Sequence, residues 1–291
     1  MGIKAYFQLM RPANIVTAVA DVWAGAAIAG AIPPSFDWHR LLALSISTVG
    51  LYGGGVVFND VFDAGLDAVE RPERPIPSGE VSVEAAIFQG TALHILGIIA
   101  ASTCGTTSAI LAASIAVLTL SYDRFAKHHS VLGPLNMGLC RGLNLLLGIS
   151  LIPEQLPHWY FLGFLPILFI AAVTMISRGE VHGGRARTML WAGILFAIVE
   201  LAQLAVAQQQ GFLIEALPAV ALHAFMVFRP LAAAYRNPIG PNIGKAVKSG
   251  VLSLIIMNAA WCLAFGAWPL ALATLVLLPL SFQLAKWFAV T

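Results

Sequence analysis

Charged residues are scarce in this chain of 291 residues: they make up 10% of it, whereas hydrophobic residues make up 59%. A soluble protein would carry roughly 25% charged residues, and the mean hydropathy here is +0.84. The net charge of only +2 provides no broad basic surface for nucleic acid. The composition therefore predicts an integral membrane protein in contact with the lipid bilayer and excludes a nucleic-acid-binding protein.

Cysteine is also rare, with three residues that lack the spacing of a metal site or a disulfide framework. All three lie in or beside apolar segments, which indicates that they are small packing residues. No small-residue cleavage site follows a short apolar core near the N-terminus, so we expect the first apolar segment to be retained. Residues 1–291 contain no linker or low-complexity segment and are expected to form a single integral-membrane domain.

Long apolar runs, by contrast, recur along the whole chain. A membrane-spanning helix needs about 20 mostly apolar residues, and these runs lack the alternation that is typical of a membrane β-barrel. The sequence therefore predicts an all-α, polytopic membrane helical bundle. The candidate spans are residues 14–32, 41–59, 84–102, 105–121, 132–151, 159–177, 188–208, 212–230, 249–266 and 269–288.

The basic residues are distributed unevenly between the two sides of these spans. Fourteen of the 16 lysines and arginines flank the spans on one side, whereas the other side has only Arg40, and Arg141 lies inside a span. Because loops rich in lysine and arginine stay on the cytoplasmic side, both termini are expected to be cytoplasmic. The same side is expected to hold the polar loops 60–83, 122–131, 178–187 and 229–248.

The densest polar feature follows the second predicted span, where the sequence F-N-D-V-F-D-A-G-L-D begins at Phe58. If the helix continues, Asp60, Asp63 and Asp67 project from one face, with Asn59 at its edge. Like charges at this spacing repel one another unless a cation lies among them. A hard divalent cation such as Mg²⁺, which takes oxygen ligands and bridges carboxylates to phosphate, fits this pattern.

Two arginines follow in a rigid turn that reads R-P-E-R-P-I-P-S-G. Arg71 and Arg74 are suited to bind phosphate oxygens through charge-assisted, bidentate hydrogen bonds. The alternative is a solvated loop in which Asp67 pairs with Arg71 one helical turn later. The shared face of the carboxylates, the adjoining apolar run and the rigid turn together favour a site for a metal ion and a phosphate.

The pattern N-D-x-x-D-x-x-x-D followed by R-P-x-R-P-I-P-S-G resembles the first aspartate-rich motif of the UbiA superfamily of membrane prenyltransferases. The matching positions are Asn59, Asp60, Asp63, Asp67, Arg71, Arg74, Pro75, Pro77 and Gly79. The resemblance implies that the three aspartates hold Mg²⁺ on an isoprenyl diphosphate and act in catalysis, while Asn59, Arg71 and Arg74 contact that substrate. It also implies a UbiA-like bundle, usually of nine helices, so nine to ten transmembrane helices are expected.

Two further stretches resemble the same family. M-R-P-A-N-I near the N-terminus is similar to the R-P-x-N motif before the family's first helix, and it supplies Arg11 and Asn14. S-Y-D-R-F-A-K-H-H is similar to the loop between the family's fourth and fifth helices. These matches imply that Asn14 and Tyr122 bind the substrate and that Lys127 binds the diphosphate and takes part in catalysis.

Several polar residues lie inside the predicted spans. Arg141 is expected to face the site and bind substrate, because a charged residue within a membrane usually faces a cavity or a partner. The alternative is an internal ion pair between Arg141 and an acidic residue such as Asp21. Asp21 and Glu200 are stronger functional candidates than the uncharged polar residues, because a buried carboxylate costs more.

The chain departs from the family at the second acidic motif, often D-x-x-D-x-x-G-D, where it has S-R-G-E-V-H-G-G-R. Only Glu180 retains a carboxylate, and it is expected to bind substrate and metal. Arg178 and Arg185 are expected to neutralise the diphosphate in place of a metal ion. His182 is expected to ligate a metal or to act as a base toward the acceptor. The stretch resembles a divergent branch encoded with bacterial ebo-type gene clusters, which implies a bacterial inner membrane.

Together these features predict an intramembrane prenyltransferase that moves an isoprenyl group from a Mg²⁺-bound polyprenyl diphosphate to an acceptor. The sequence does not identify the acceptor, and an aromatic ring, a hydroxyl of a polyol or sugar, and a glycerol phosphate stay open. The altered second motif supports an alternative, a non-catalytic polyprenyl-lipid binder or carrier with the same fold. A secondary transporter is disfavoured, because its site would lie at mid-membrane between broken helices.

Overall fold

The computed structural model describes residues 2–31, 37–181 and 183–288. Most of these residues are helical. In chain order the helices are α1 (Ile3–Met10), α2 (Pro12–Ile28), α3 (Trp38–Phe62), α4 (Ala64–Glu70), α5 (Val83–Ser102), α6 (Thr106–Ser121), α7 (Leu132–Ile149), α8 (Leu156–Trp159), α9 (Phe164–Ser177), α10 (Ala186–Gln210), α11 (Leu213–Arg236), α12 (Gly240–Ala264) and α13 (Trp268–Trp287). A π-helical turn covers Tyr122–Ala126, and 3₁₀ turns cover Pro153–Gln155 and Tyr160–Gly163.

The helices confirm the prediction of an all-α membrane bundle. Each predicted span contains a helix. Within the described residues, eight helical segments are long and apolar enough to cross a membrane, and α2 is a shorter apolar helix of 17 residues. The chain is therefore an integral membrane protein.

Some predicted bounds are too short, and α12 shows why. The predicted span begins at residue 249, but α12 begins at Gly240 and includes Lys245 and Lys248. Lysine is a good helix former, so the helical backbone continues beyond the apolar part of the sequence. Hydropathy locates the part of a helix that lies in lipid rather than the whole helix.

Helices α2 and α7 cross where both lack side chains. A Cβ added at Gly25 would lie 2.2 Å from the carbonyl oxygen of Leu145, and one added at Gly148 would lie 2.3 Å from the carbonyl oxygen of Val22. Small residues let helix backbones approach closely in a membrane, where packing drives association. This crossing fixes α2 against α7, and both helices carry polar residues described below.

Replacing Gly25 by alanine is expected to lower the free energy of unfolding by about 1–3 kcal/mol, because overpacking forces the backbones apart. Gly65→Ala is the matched control, since a Cβ at Gly65 in α4 meets none of the described residues within 4 Å. That control is expected to be neutral or stabilising by about 0.5–1 kcal/mol. Thermal unfolding in detergent measures both, and equal unfolding temperatures for the two variants would contradict the close crossing.

Four polar segments meet at one end of the bundle, which we call the loop face. They are residues 60–82, 122–131, 178–181 with 183–185, and the Arg11 junction between α1 and α2. Side-chain contacts between these segments, described below, hold them together.

The R-P-I-P-S-G turn on the loop face is held by apolar packing against α1 and α3. Ile76 and Val81 are buried in a cluster with Leu9 of α1 and Val57 of α3. The turn closes with a hydrogen bond from the Val81 N–H to the Pro75 carbonyl oxygen at 2.9 Å. The rigid turn that the sequence predicts is therefore present, and it holds the preceding arginine in place.

Candidate functional site

The acidic stretch after the second predicted span is almost, but not fully, one continuous helix. α3 ends at Phe62, and Asp63 lies between α3 and α4 with φ −91° and ψ 0°. Helical hydrogen bonds still pass through this residue. The Asp63 N–H donates to the Asn59 carbonyl at 3.0 Å, and the Asp67 N–H donates to the Asp63 carbonyl at 2.8 Å. The carboxylates of Asp60 and Asp67 consequently converge, whereas Asp63 takes a different partner.

Arg74 is the point on which Asp60 and Asp67 converge. Its Nη1 atom donates to Asp67 Oδ2 at 2.6 Å and to Asp60 Oδ1 at 3.3 Å, and all three side chains are buried. Because Asp67 pairs with Arg74 and not with Arg71, the alternative of a solvated Asp67–Arg71 loop is wrong. Arg71 itself is exposed at the end of α4.

Arg11 is the second basic residue that contacts the carboxylate of Asp60. Its Nη2 atom donates to Asp60 Oδ1 at 2.6 Å. Arg11 has a left-handed backbone, with φ 51°, between α1 and α2, and a non-glycine residue keeps this costly conformation only where its surroundings impose it. Asn14 lies half-buried in the first turn of α2, three residues further on. The R-P-x-N motif thus places Arg11 on the acidic cluster, and substrate binding by Asn14 stays a prediction.

The 122–131 loop supplies the cation for the third aspartate. Lys127 Nζ forms an ion pair with Asp63 Oδ1, and the Lys127 N–H donates to the Tyr122 carbonyl at 3.0 Å. The charges of Asp63 and Arg178 lie within electrostatic reach of the Tyr122 hydroxyl. The structure therefore brings Lys127 to the acidic stretch, whereas the predicted roles of Tyr122 and Lys127 toward a substrate stay predictions.

Sequence reasoning missed one acidic residue at this site. Asp123, the second residue of the π-helical turn, is only 5% exposed, and its Oδ1 atom accepts a hydrogen bond from Asn59 Nδ2 at 2.8 Å. The available signal was its position directly after Tyr122 and four residues before Lys127, inside a loop already assigned to the diphosphate. Asn59 is thus held at the site by Asp123.

The loop after α9 contributes differently from the prediction. Arg178 Nη2 donates to the His129 carbonyl at 2.6 Å, which joins this loop to the 122–131 loop. A role of Arg178 in positioning that loop is therefore visible, whereas its predicted contact with diphosphate stays a prediction. His182 lies outside the described residues.

Glu180 and Arg185 are both exposed on this loop. Partial burial raises the pKa of Glu180, and the positive charge of Arg71 opposes that increase. Arg185 lies immediately before α10. Among the described ion pairs, neither residue joins the cluster around Asp60, so their substrate roles stay predictions.

Arg141 has a buried partner inside the bundle. Its Nη1 atom donates to Asp21 Oδ2 at 2.7 Å, and its guanidinium lies 5.6 Å from the centre of the Tyr52 ring. Asn144 and Asn258 donate to the two oxygens of the same carboxylate at 3.1 and 2.7 Å. The internal Arg141–Asp21 ion pair that sequence analysis left open is confirmed. Substrate binding by Arg141 stays a prediction.

The side chains at the loop face fit a cation that is shared with an anionic ligand. In the described residues, no three acidic, histidine or cysteine side chains are arranged to hold a metal alone. Asp60 and Asp67 nevertheless approach one nitrogen of Arg74, and Mg²⁺ usually takes one or two carboxylates together with water and phosphate oxygens. The buried Arg74 Nε atom also has no hydrogen-bond partner among the described residues. Metal binding stays a prediction for the four expected ligands, Asp60, Asp63, Asp67 and Glu180.

Comparison with known proteins agrees with this arrangement. The model of the UbiA prenyltransferase family matches residues 19–238. A digeranylgeranylglyceryl phosphate synthase of Methanothermobacter thermautotrophicus is 32% identical over 185 residues, which cover 63% of this chain and 64% of that protein. The match thus spans less than two thirds of the length of that relative.

Two solved structures share the fold. A UbiA homologue from Aeropyrum pernix K1 has a TM-score of 0.70 and 19% identity, with 84% of this chain and 96% of that chain covered. A UbiA homologue from Archaeoglobus fulgidus, bound to GPP and Mg²⁺, has a TM-score of 0.58 and 13% identity, with 91% and 99% covered. At these identities the similarity establishes the helical architecture.

Proposed function

The chain belongs to the UbiA prenyltransferase family, and from this premise we propose that it is a prenyltransferase acting within the membrane. It moves an isoprenyl group from a Mg²⁺-bound polyprenyl diphosphate to an acceptor. The observation that carries this proposal is the cluster at the loop face, where Asp60, Asp67 and Arg74 interlock beside the Asp63–Lys127 pair. The GPP and Mg²⁺ bound by the Archaeoglobus fulgidus homologue support the choice of donor and metal.

The residues of the cluster have separate tasks in binding the donor. Arg11, Arg74 and Lys127 bind the diphosphate oxygens, for which they exchange their present carboxylate partners. The carboxylates of Asp60, Asp63 and Asp67, released from these contacts, would hold the metal. When bound, Mg²⁺ acts as a Lewis acid that stabilises the charge of the leaving diphosphate.

The transfer step follows from these positions. The allylic C–O bond breaks, and its electron pair leaves with the diphosphate, where the fixed cations stabilise the growing negative charge. The allylic carbon then forms a bond to the acceptor, which loses a proton. The apolar helices beside the cluster exclude water, which would otherwise capture the electron-deficient carbon.

We propose the same orientation that the basic residues predict, with both termini and the loop face in the cytoplasm. The 14 basic residues on one side of the spans support it. A bacterial inner membrane is supported by the resemblance to the bacterial branch, although the relatives reported above come from archaea. Residues 1–291 are proposed to form one domain.

A transfer assay tests the proposed function directly. Purified protein in lipid nanodiscs would receive radiolabelled geranylgeranyl diphosphate, Mg²⁺ and one acceptor class at a time. A glycerol phosphate lipid comes first, because the Methanothermobacter relative is a digeranylgeranylglyceryl phosphate synthase; a polyol and an aromatic ring follow. We expect a labelled lipid product that needs both Mg²⁺ and an acceptor, and that disappears in Asp63→Asn but not in the exposed control Glu73→Gln.

One observation favours the second candidate, a non-catalytic polyprenyl-lipid binder. The loop after α9 offers only one carboxylate, Glu180, and this side chain is exposed. Mg²⁺-dependent binding of the donor without product from any acceptor class would support the binder and contradict the transferase.

Arg11 gives a prediction that separates donor binding from folding. Arg11→Gly is expected to weaken binding of a prenyl diphosphate about 10-fold, the effect of one charge-assisted hydrogen bond, while leaving the unfolding temperature nearly unchanged. Glycine adopts the left-handed backbone of this position at low cost. Arg124→Gln, at an exposed arginine of the neighbouring loop, is the control. If both variants bind the prenyl diphosphate as tightly as the wild type, Arg11 does not belong to the donor site.

A further inference from the structure

The charges at the loop-face end of the bundle are divided between two regions. Residues 60–84 contain seven acidic residues, whereas residues 185–288 contain only Glu200 and Glu215. Glu200 is buried within α10, and Glu215 lies in the first turn of α11, at the end away from the loop face. Glu180 lies on the loop between the two regions. The loop-face ends of α10, α11 and α12 are therefore almost free of acidic side chains.

Five exposed basic residues, which we call the basic surface, lie at these helix ends: Arg187, Arg229, Arg236, Lys245 and Lys248. Ser249 Oγ of α12 donates to the Met226 carbonyl of α11 at 2.6 Å. A Cβ added at Gly193 of α10 would lie 3.3 Å from the Leu231 side chain of α11. Because α11 runs antiparallel to both neighbours, these contacts place the five residues at similar depths. Among the described residues, none of the five forms an ion pair.

The basic surface directly adjoins exposed apolar side chains. The Arg229 guanidinium lies 5.5 Å from the centre of the Phe225 ring, and Phe225 is 58% exposed. On α10, Trp191 lies one turn from Arg187 and is 51% exposed. Tryptophan is enriched at the level of the lipid headgroups, and arginine can lay its stem on apolar surface while its charge reaches water. The basic surface therefore lies at the depth of the lipid phosphate groups.

We propose that the basic surface binds the phosphate groups of anionic phospholipids in the leaflet that the loop face meets. Clusters of about four to eight basic residues beside a membrane attract such lipids. A phospholipid matches both parts of this region, since its head is anionic and its chains are apolar, whereas a soluble acidic protein matches only the charges. A second copy of the chain docked through the same surface is disfavoured, because like charges would face each other across the symmetry axis. The inference does not rest on the proposed function, because none of the five residues belongs to the donor cluster.

A lipid titration of the full chain in a non-ionic detergent tests the proposal. The probes are phosphatidylglycerol and the zwitterionic phosphatidylcholine, both labelled with the same fluorophore at the end of a tail. Each basic residue near an anionic lipid strengthens binding about fivefold, so two residues on one phosphate give the wild type a preference of about 25-fold for phosphatidylglycerol. The triple variant Arg229→Gln, Lys245→Gln, Lys248→Gln is expected to lose this preference.

The matched control removes three exposed basic residues outside the basic surface: Lys4→Gln, Arg124→Gln, Lys286→Gln. It changes the net charge by the same amount and is expected to keep the preference. Equal loss in both triple variants would overturn the proposal, because net charge alone would then explain the binding. The charge-preserving variant Arg229→Lys, Lys245→Arg, Lys248→Arg is expected to bind both lipids as the wild type does.

Three further outcomes would overturn the assignment to phospholipid. They are equal affinity of the wild type for the two lipids, an undiminished preference in the triple variant of the basic surface, and displacement of labelled phosphatidylglycerol by soluble glycerol phosphate. The last result would identify a site for free phosphate compounds instead. If the triple variant does not fold, the double variant Lys245→Gln, Lys248→Gln takes its place. That variant is expected to weaken phosphatidylglycerol binding by about fivefold or more, and unchanged affinity overturns the proposal.

Discussion

Asp60→Asn is expected to weaken Mg²⁺-dependent binding of a prenyl diphosphate by about 100-fold or more. Loss of a residue that only orients a metal ligand already costs about 10–100-fold, and Asp60 is proposed to face the metal directly. The variant also removes the charge that holds Arg11 at 2.6 Å and Arg74 at 3.3 Å. Isothermal titration with a non-hydrolysable geranylgeranyl diphosphate analogue measures the effect.

Asp37→Asn is the matched control for this variant. Asp37 caps the other end of α3, where its carboxylate accepts hydrogen bonds from the backbone N–H groups of His39 and Arg40 at 3.0 and 3.2 Å. Asparagine caps helices about as well as aspartate, so binding and stability should stay at wild-type values. If Asp60→Asn binds the analogue as tightly as Asp37→Asn, Asp60 does not belong to the donor site.

Arg141→Met is expected to lower the free energy of unfolding by about 3–5 kcal/mol. Removing one partner of a buried ion pair leaves the other charge uncompensated, and Asp21 is 1% exposed. Thermal unfolding can be followed by the rise in labelling with a thiol-reactive dye, because Cys104 and Cys262 are free and buried, whereas the half-buried Cys140 is already partly accessible in the folded protein.

A double variant distinguishes a structural role of Arg141 from a role in substrate binding. Asp21→Asn combined with Arg141→Met removes both charges, and it should recover most of the lost stability. The ion-pair account predicts that recovery. A single variant that unfolds at the wild-type temperature but no longer binds the diphosphate analogue would instead show that Arg141 acts on the substrate.

The membrane spans could be predicted from the sequence because the thickness of the bilayer fixes how many apolar residues a helix needs. The ends of the helices could not, since Lys245 and Lys248 continue α12 although they are not apolar. The break at Asp63 was missed for a related reason. Helical spacing fixes which residues share a face, but the local φ and ψ of a single residue depend on its tertiary contacts.

The aspartates of the candidate site could be predicted because Asp60 and Asp67 are close in sequence and share a helical face. Their partners are distant in sequence: Lys127 is 64 residues from Asp63, and Arg11 is 49 residues from Asp60. Spacing within one segment carries no information about such pairs. Lys127 was found through the family resemblance, whereas Asp123 had no matching motif and became visible only in the structure.

Glu200 shows that sequence analysis can also suggest a functional role for a residue that has a packing partner inside the bundle. A buried carboxylate in a span is a functional candidate on energetic grounds, yet in the structure Glu200 of α10 pairs with the buried His223 of α11. Phe169 packs on the same histidine, with ring centres 5.3 Å apart. The carboxylate thus lies against a histidine on the adjacent helix, a neighbour that hydropathy alone does not reveal.

Mg²⁺-dependent binding of a non-hydrolysable geranylgeranyl diphosphate analogue tests the central claim most directly, because it needs no knowledge of the acceptor. Detergent-purified wild type would be titrated with and without Mg²⁺, beside Asp63→Asn and the control Glu73→Gln. The account predicts binding that requires Mg²⁺, that Asp63→Asn abolishes and that Glu73→Gln retains. Absence of binding for analogues of several chain lengths, or equal binding by Asp63→Asn, would contradict a prenyl diphosphate site at the loop face.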